Sequence, residues 1–255
     1  MTNTEKAIIL KEKLNSVSYQ QDKYKIQFEG TDIFISGVVT PKNKENMLSK
    51  LSEYRTIYET ICDLDWSIKF SLENALDGEY DVYTDDVCKS NLTDYKEKET
   101  LYYVENAIYR EISLWDMLAQ IYRVLYDVNI KPKYVKYNTF FNPEEKKNDA
   151  FKEDATAIFN YIKEKVKIDG EELSGVHKKV ADLRNGMVHR ISLGRTVMNN
   201  YDFNLRCPIY VQIQWIIEDY LKVSDFIRQV LDKVDDTIKD YKEGWMEPYG
   251  EINIR

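Results

Sequence analysis

The stretch Asp182-Leu183-Arg184-Asn185-Gly186-Met187-Val188-His189-Arg190 sets an arginine, four spacer residues and a histidine on one segment flanked by apolar positions. Guanidinium and imidazole together suit phosphodiester work. A ribonuclease that needs no metal must take a proton from the ribose 2′-OH, give one to the departing 5′ oxygen, and neutralise extra charge on a phosphorane-like transition state. His189 has the side-chain type that titrates near neutral pH without perturbation, so it can move those protons. Arg184 stays charged and can fork onto two phosphate oxygens. Asn185 can orient the imidazole or donate to phosphate. Gly186, at a helix cost of about 1 kcal/mol relative to alanine, allows another backbone or an RNA to come close.

At about 100° per residue, Asn185 and His189 stack on one helical face while Arg184 sits about 140° from His189. One helix therefore does not aim both groups at a single point. Either a cleft lets the arginine reach around the helix, or a two-fold interface brings paired helices together, and the homodimer is the arrangement we expect. Charge bears on the same question. The net charge of −8 argues against coating nucleic acid through bulk electrostatics. Between His177 and Arg195, however, the cations Lys178, Lys179, Arg184, Arg190 and Arg195 face the single acid Asp182. Lys178, Lys179, Arg190 and Arg195 are thus candidate RNA contacts, and the ordinary alternative is the wet face of a helix. His177 shares the face of Arg184 and reads as a surface histidine.

The elements that must position these residues are mostly helical. Nine glycines and five prolines leave few sharp turns for a many-stranded fold, and 43% apolar with 31% charged residues describes a globular chain. Residues 4 to 15 read as a short amphipathic helix, followed by a small hairpin around Glu29-Gly30-Thr31-Asp32. Leu48, Leu51, Tyr54, Tyr58, Ile61, Asp65, Ile68 and Leu72 space a first long helix. Leu101, Val104, Ile108, Ile112, Trp115, Leu118, Ala119, Tyr122 and Leu125 space a second, ending before Lys131-Pro132. The last runs from Pro208 to Ile238. A further helix is expected around 150 to 167. The connection 131–148 interleaves lysines with Tyr134, Tyr137, Phe140 and Phe141, a composition that single-stranded RNA binding uses, against the plainer reading of aromatics tucked onto the core. Gly170 and Gly175 bracket four residues like a phosphate loop, but Val176-His177 stands where such a loop needs its lysine and hydroxyl.

Cys62, Cys88 and Cys207 form no CxxC pair, and there are only two histidines, so neither a metal site nor a cofactor is expected. The N-terminal stretch has only Ala7 to Leu10 as a continuous apolar run, far short of a signal or membrane span, and a cytoplasmic location without membrane contact is expected.

With these residues in place, the sequence resembles the HEPN superfamily, the higher-eukaryote and prokaryote nucleotide-binding helical domains, whose signature is arginine, often followed by asparagine, then histidine after a short spacer. Arg184-Asn185-Gly186-Met187-Val188-His189 matches it position by position. The segment from Tyr109 to Asp116 is also similar to the earlier helix of clostridial-type HEPN branches, where a polar residue supports the active centre, which nominates Asp116 against the plainer reading of a solvated or helix-pairing carboxylate. The resemblance implies an all-α antiparallel helical bundle over residues 93–243, after an N-terminal extension 1–92 with a hairpin and a long helix, and before a tail 244–255. It implies dimerisation through the motif helices. In active members it implies a metal-independent endoribonuclease cutting single-stranded RNA by 2′-OH attack, in host defence or toxin–antitoxin systems, with an antitoxin or regulator as partner. Other members only bind nucleotide or RNA, or serve as dimerisation modules, and that is the alternative. Tyrosine often stands two places after the histidine in members silenced by nucleotide transfer. Here that place is Ile191.

Overall fold

A computed structural model describes residues 3–28, 31–32, 47–77, 95–189, 197–198, 203–204, 207–245 and 252–254. The chain is mostly helical. Helix α1 (Asn3–Asn15) precedes the short strands β1 (Ile26–Phe28) and β2 (Thr31–Asp32), and two 31-residue helices follow, α2 (Met47–Asp77) and α3 (Tyr95–Leu125). Then come the single-turn helix α4 (Tyr137–Phe140), α5 (Lys152–Ile162), the hairpin β3 (Lys165–Ile168) and β4 (Glu171–Ser174), and α6 (Val176–His189). Strands β5 (Val197–Met198) and β6 (Phe203–Asn204) lead to α7 (Ile209–Trp245), and β7 (Ile252–Ile254) closes the chain. The order β2-β1-β7 is antiparallel throughout, so the C-terminal segment pairs with the hairpin near the N-terminus, Gln27 opposite Asn253.

The three long helices form as their apolar spacing requires. Leu51, Tyr54, Tyr58, Ile61, Ile68 and Leu72 of α2 are buried, and α2 packs most extensively on α3. Burying such side chains is worth roughly 1.5–3 kcal/mol each, enough to outweigh the modest helix propensity of so many β-branched and aromatic residues. Asp65 belongs to the same stripe. It is buried because it accepts from the Tyr220 hydroxyl of α7 and from Lys69 Nζ at 2.8 Å. Helix α3 packs in addition on α7 and α6, and α6 on α7.

The helix expected over 150–167 is shorter. It ends at Ile162, and residues 165–174 form a hairpin whose turn is Asp169-Gly170, both at positive φ (51° and 89°), the conformation that two-residue hairpin turns require. Gly175 closes the hairpin against the end of α5. Its N–H donates to the Glu164 carbonyl at 2.9 Å, and a Cβ at this position would come within 2.8 Å of the Glu164 Cβ. The glycines that looked like a failed phosphate loop are therefore a turn and a close approach, and together they deliver the chain into the first turn of α6. In the connection 131–148, Tyr137, Phe140 and Phe141 are buried and Tyr134 is exposed. Three of the four rings are core and have no face free for a base.

Candidate active site

Helix α6 carries the Arg184-to-His189 motif along its last two turns. Val180 is fully buried, Leu183 and Met187 pack partly against the core, and Lys178, Asp182 and Asn185 are exposed. Arg184 lies between these two sides, half-buried, and its Nη1 donates to the neighbouring Asn185 Oδ1 at 3.3 Å. A Cβ built on Gly186 meets nothing within 4 Å, so the helix is open on that side, and Val188, nearly opposite on the helix, is exposed as well. His189 is the last residue of α6. Asp116 of α3 lies within reach of the arginine's charge. Its Oδ1 accepts the Tyr137 backbone N–H at 3.1 Å. Burial pushes its carboxyl above the usual range, opposed by that hydrogen bond and by the nearby charges of Arg184 and Lys136. The α3 acid and the motif arginine thus share one electrostatic neighbourhood.

The proposed RNA-contacting cations are less free than their number suggests. Lys178 pairs with Asp182 one turn along, and Lys179 Nζ rests 4.9 Å over the Trp215 ring of α7. Arg190 and Arg195 lie outside the described residues.

His177 is the clearest correction. It is 2% exposed, not a surface group. Its Nδ1 lies 3.1 Å from Asp219 Oδ2 of α7, and its Nε2 lies 3.1 Å from the Tyr137 hydroxyl of α4. Asp219 can only accept, so Nδ1 carries hydrogen. Trp115 Nε1 donates to the same Asp219 Oδ2 at 3.1 Å, and the indole packs edge-on against the imidazole at 4.7 Å. Glu111 of α3 and Asp219 are both fully buried. Burial pushes the Glu111 carboxyl well up, reinforced by the Asp219 charge, which favours the protonated form. For Asp219, burial alone would act in the same direction. The hydrogen bonds from Glu111 and His177, with the charge of His177, outweigh it and hold the carboxyl below its usual value. The two carboxyls are thus pushed in opposite directions, Glu111 up and Asp219 down.

Sequence reasoning read Tyr137 only as an aromatic of the connection and missed the acids Glu111 and Asp219. Their signal was an acid in phase with an apolar stripe, Glu111 between Ile108 and Trp115, and Asp219 between Ile216 and Val223. Such positions hold buried, paired acids or nothing charged at all.

A family model, that of the Cthe2314-like HEPN family, matches residues 46–243, well over half of the 255. The chain belongs to the HEPN superfamily. That places it among helical domains that serve as ribonucleases or nucleotide-binding modules. The HEPN match starts just before α2, the helix that packs along α3. Neither the curated proteins nor the solved structures yield a significant match. Among the described residues no group of three or more His, Cys, Asp or Glu could hold a metal ion, and no helix is long and apolar enough to cross a membrane.

Proposed function

We propose that this HEPN protein is a metal-independent endoribonuclease acting on single-stranded RNA. His189 takes the proton from a ribose 2′-OH as that oxygen attacks the adjacent phosphorus, and an imidazolium returns a proton to the leaving 5′ oxygen. The products are a 2′,3′-cyclic phosphate and a 5′-hydroxyl end. Arg184 neutralises the charge that grows on the phosphoryl oxygens, Asn185 donates to phosphate or imidazole, and Asp116 steadies the guanidinium. Because Arg184 and His189 are about half a helical turn apart, two motif helices across a two-fold axis complete the site, and the open face at Gly186 is where they meet. The domain takes in α2 as well as residues 93–243, arranged as an antiparallel bundle. Lys178, Lys179, Arg190 and Arg195 guide the RNA strand, and a protein antitoxin or regulator restrains the activity.

The observation that carries this reading is a half-buried Arg184 on α6, close enough for its charge to act on Asp116 of α3, with open space over Gly186 two residues on. The test is cleavage of unstructured RNA in EDTA. Wild type is expected to cut, and His189→Ala to lose at least about a hundredfold in rate with its helical circular dichroism unchanged. RNA that binds with steep salt dependence yet stays intact makes the chain a binding module instead. Variants at 184 and 189 that chiefly lower Tm make the motif structural.

A further inference from the structure

Tyr137 is held at both ends. Its hydroxyl meets His177 Nε2 at 3.1 Å, and its backbone N–H donates to Asp116 Oδ1 at 3.1 Å. The ring between these contacts sits 5.7 Å from the Trp115 ring and edge-on to His177 at 5.2 Å. His177 is in turn fixed from behind by Asp219, which also takes the Trp115 indole N–H. These groups come from α3, α4, α6 and α7, and their contacts run from Asp219 through His177, on the same helix as Arg184, to Asp116.

Stability alone is a weak reason for such a cluster. Two fully buried carboxyls and a buried histidine cost desolvation energy that apolar residues of similar volume would not, and exchanges of that kind are often neutral or stabilising. What polar groups supply and apolar ones do not is direction, since a hydrogen-bonded ring has one orientation and one register. His177 lies on the first turn of α6 and Arg184 two turns further on the same face, so fixing the rotation of the helix at 177 fixes where the guanidinium stands at 184.

We propose that Asp219, His177 and Tyr137 are positioning residues for Arg184: Asp219 and the Tyr137 hydroxyl hold His177 from both ring nitrogens, His177 sets the rotation of α6 and with it the place of Arg184 two turns on, and the Tyr137 N–H orients Asp116. This deepens the cleavage site proposed above and rests on that reading for its effect on catalysis, while the placement of Arg184 can be read without it.

The test uses the full chain and three variants. Tyr137→Phe removes one oxygen and keeps the ring contacts, and Asp219→Asn keeps shape and removes charge. Val180→Ala, a buried position on α6 outside the chain of contacts, is the control for loss of stability. RNA cleavage by Tyr137→Phe is expected to lose about tenfold in kcat with KM unchanged, because a modest misplacement of a charge-stabilising group acts on the transition state. Val180→Ala should lower Tm at least as far and keep the wild-type kcat. In parallel, the Arg184 Nε–H signal in a 1H–15N spectrum should move in Tyr137→Phe and Asp219→Asn and stay in place in Val180→Ala. A kcat that follows Tm across all the variants, or an Arg184 signal that ignores Tyr137→Phe, overturns the proposal. If wild type does not cut RNA, the endoribonuclease reading fails, and the Arg184 signal alone decides whether these residues position it.

Discussion

His177 and Arg184 share one face of α6, two turns apart, and meet opposite surroundings. At 177 the side chain is enclosed by Trp115, Asp219, Tyr137 and a tilted Tyr161, with both ring nitrogens engaged. At 184 the side chain is half-buried, Asn185 beside it is exposed, and the space over Gly186 is empty. One end of the helix is built like an interior, and the other like the floor of a site. Closed polar clusters are expensive to break and fix geometry, while open ones are cheap to alter and available to ligand. Substitutions at the two ends should therefore fail in different ways, the first in stability and the second in chemistry.

The largest effect is expected at the closed end. Asp219→Ala leaves the fully buried Trp115 indole N–H and the buried His177 Nδ1–H without their acceptor, and removing one partner of such a buried pair costs about 3–5 kcal/mol. Urea denaturation measures it. A cost like that of a surface substitution would mean that the cluster is looser than its distances say, and the contrast between the two ends would vanish.

The next effect has a sign set by pH. Glu111 holds its proton in the folded chain well above the ordinary 4.5, because burial and the Asp219 charge oppose ionisation. Unfolding releases that proton once the pH exceeds the ordinary value, so the stabilisation is fully present below it and is lost as pH rises toward the folded-state value. Glu111→Gln cannot ionise and is free of this loss. Relative to wild type it should gain up to about 1 kcal/mol for each pH unit between about 5 and 8 until the folded-state value is reached, measured by denaturation across that range. Asp219 works in the opposite direction. Its carboxyl is held low, so its contribution is present above the ordinary 3.8 and lost as pH falls. A difference between wild type and Glu111→Gln that does not change with pH would place the Glu111 proton elsewhere.

The same two ends explain what the sequence disclosed. The Arg184-to-His189 spacing and the three long apolar stripes are local patterns, and α2, α3 and α7 form where those stripes lie. The closed end is not local. The partners of His177 are 42 residues away in Asp219 and 40 in Tyr137, and the flanking Lys178 and Lys179 make the histidine look wet. The β3–β4 hairpin escaped notice for another reason. All four residues of β4 are exposed and Val166 of β3 is 42% exposed, so no buried face imposes a period of two, and Asp169-Gly170 was the one legible signal. The separation of Arg184 and His189 around the helix was legible as a problem. Its solution, whether a groove or a second chain, is not encoded in spacing.

At the open end, Arg184→Gln should raise the Asp116 titration further, since the arginine charge is one of the influences opposing burial there. Side-chain carboxyl 13C shifts followed over pH give the result directly, and the change should come with little loss of Tm because Arg184 is only half-buried. An unchanged Asp116 would separate the two residues and remove the α3 acid from the site.

The smallest effect isolates the open face itself. Gly186→Ala puts a methyl where nothing lies within 4 Å, so in an isolated chain it should stabilise α6 by about 1 kcal/mol through helix propensity alone. A second motif helix packed against this face would meet that methyl. The gain should then be full at low chain concentration and shrink as concentration rises and the dimer forms, with calorimetric Tm followed over a dilution series. A gain that stays constant across a range in which the chain demonstrably dimerises would mean that position 186 faces solvent in the dimer too, and the two-fold axis would have to be sought on another surface, leaving Arg184 to reach around its own helix.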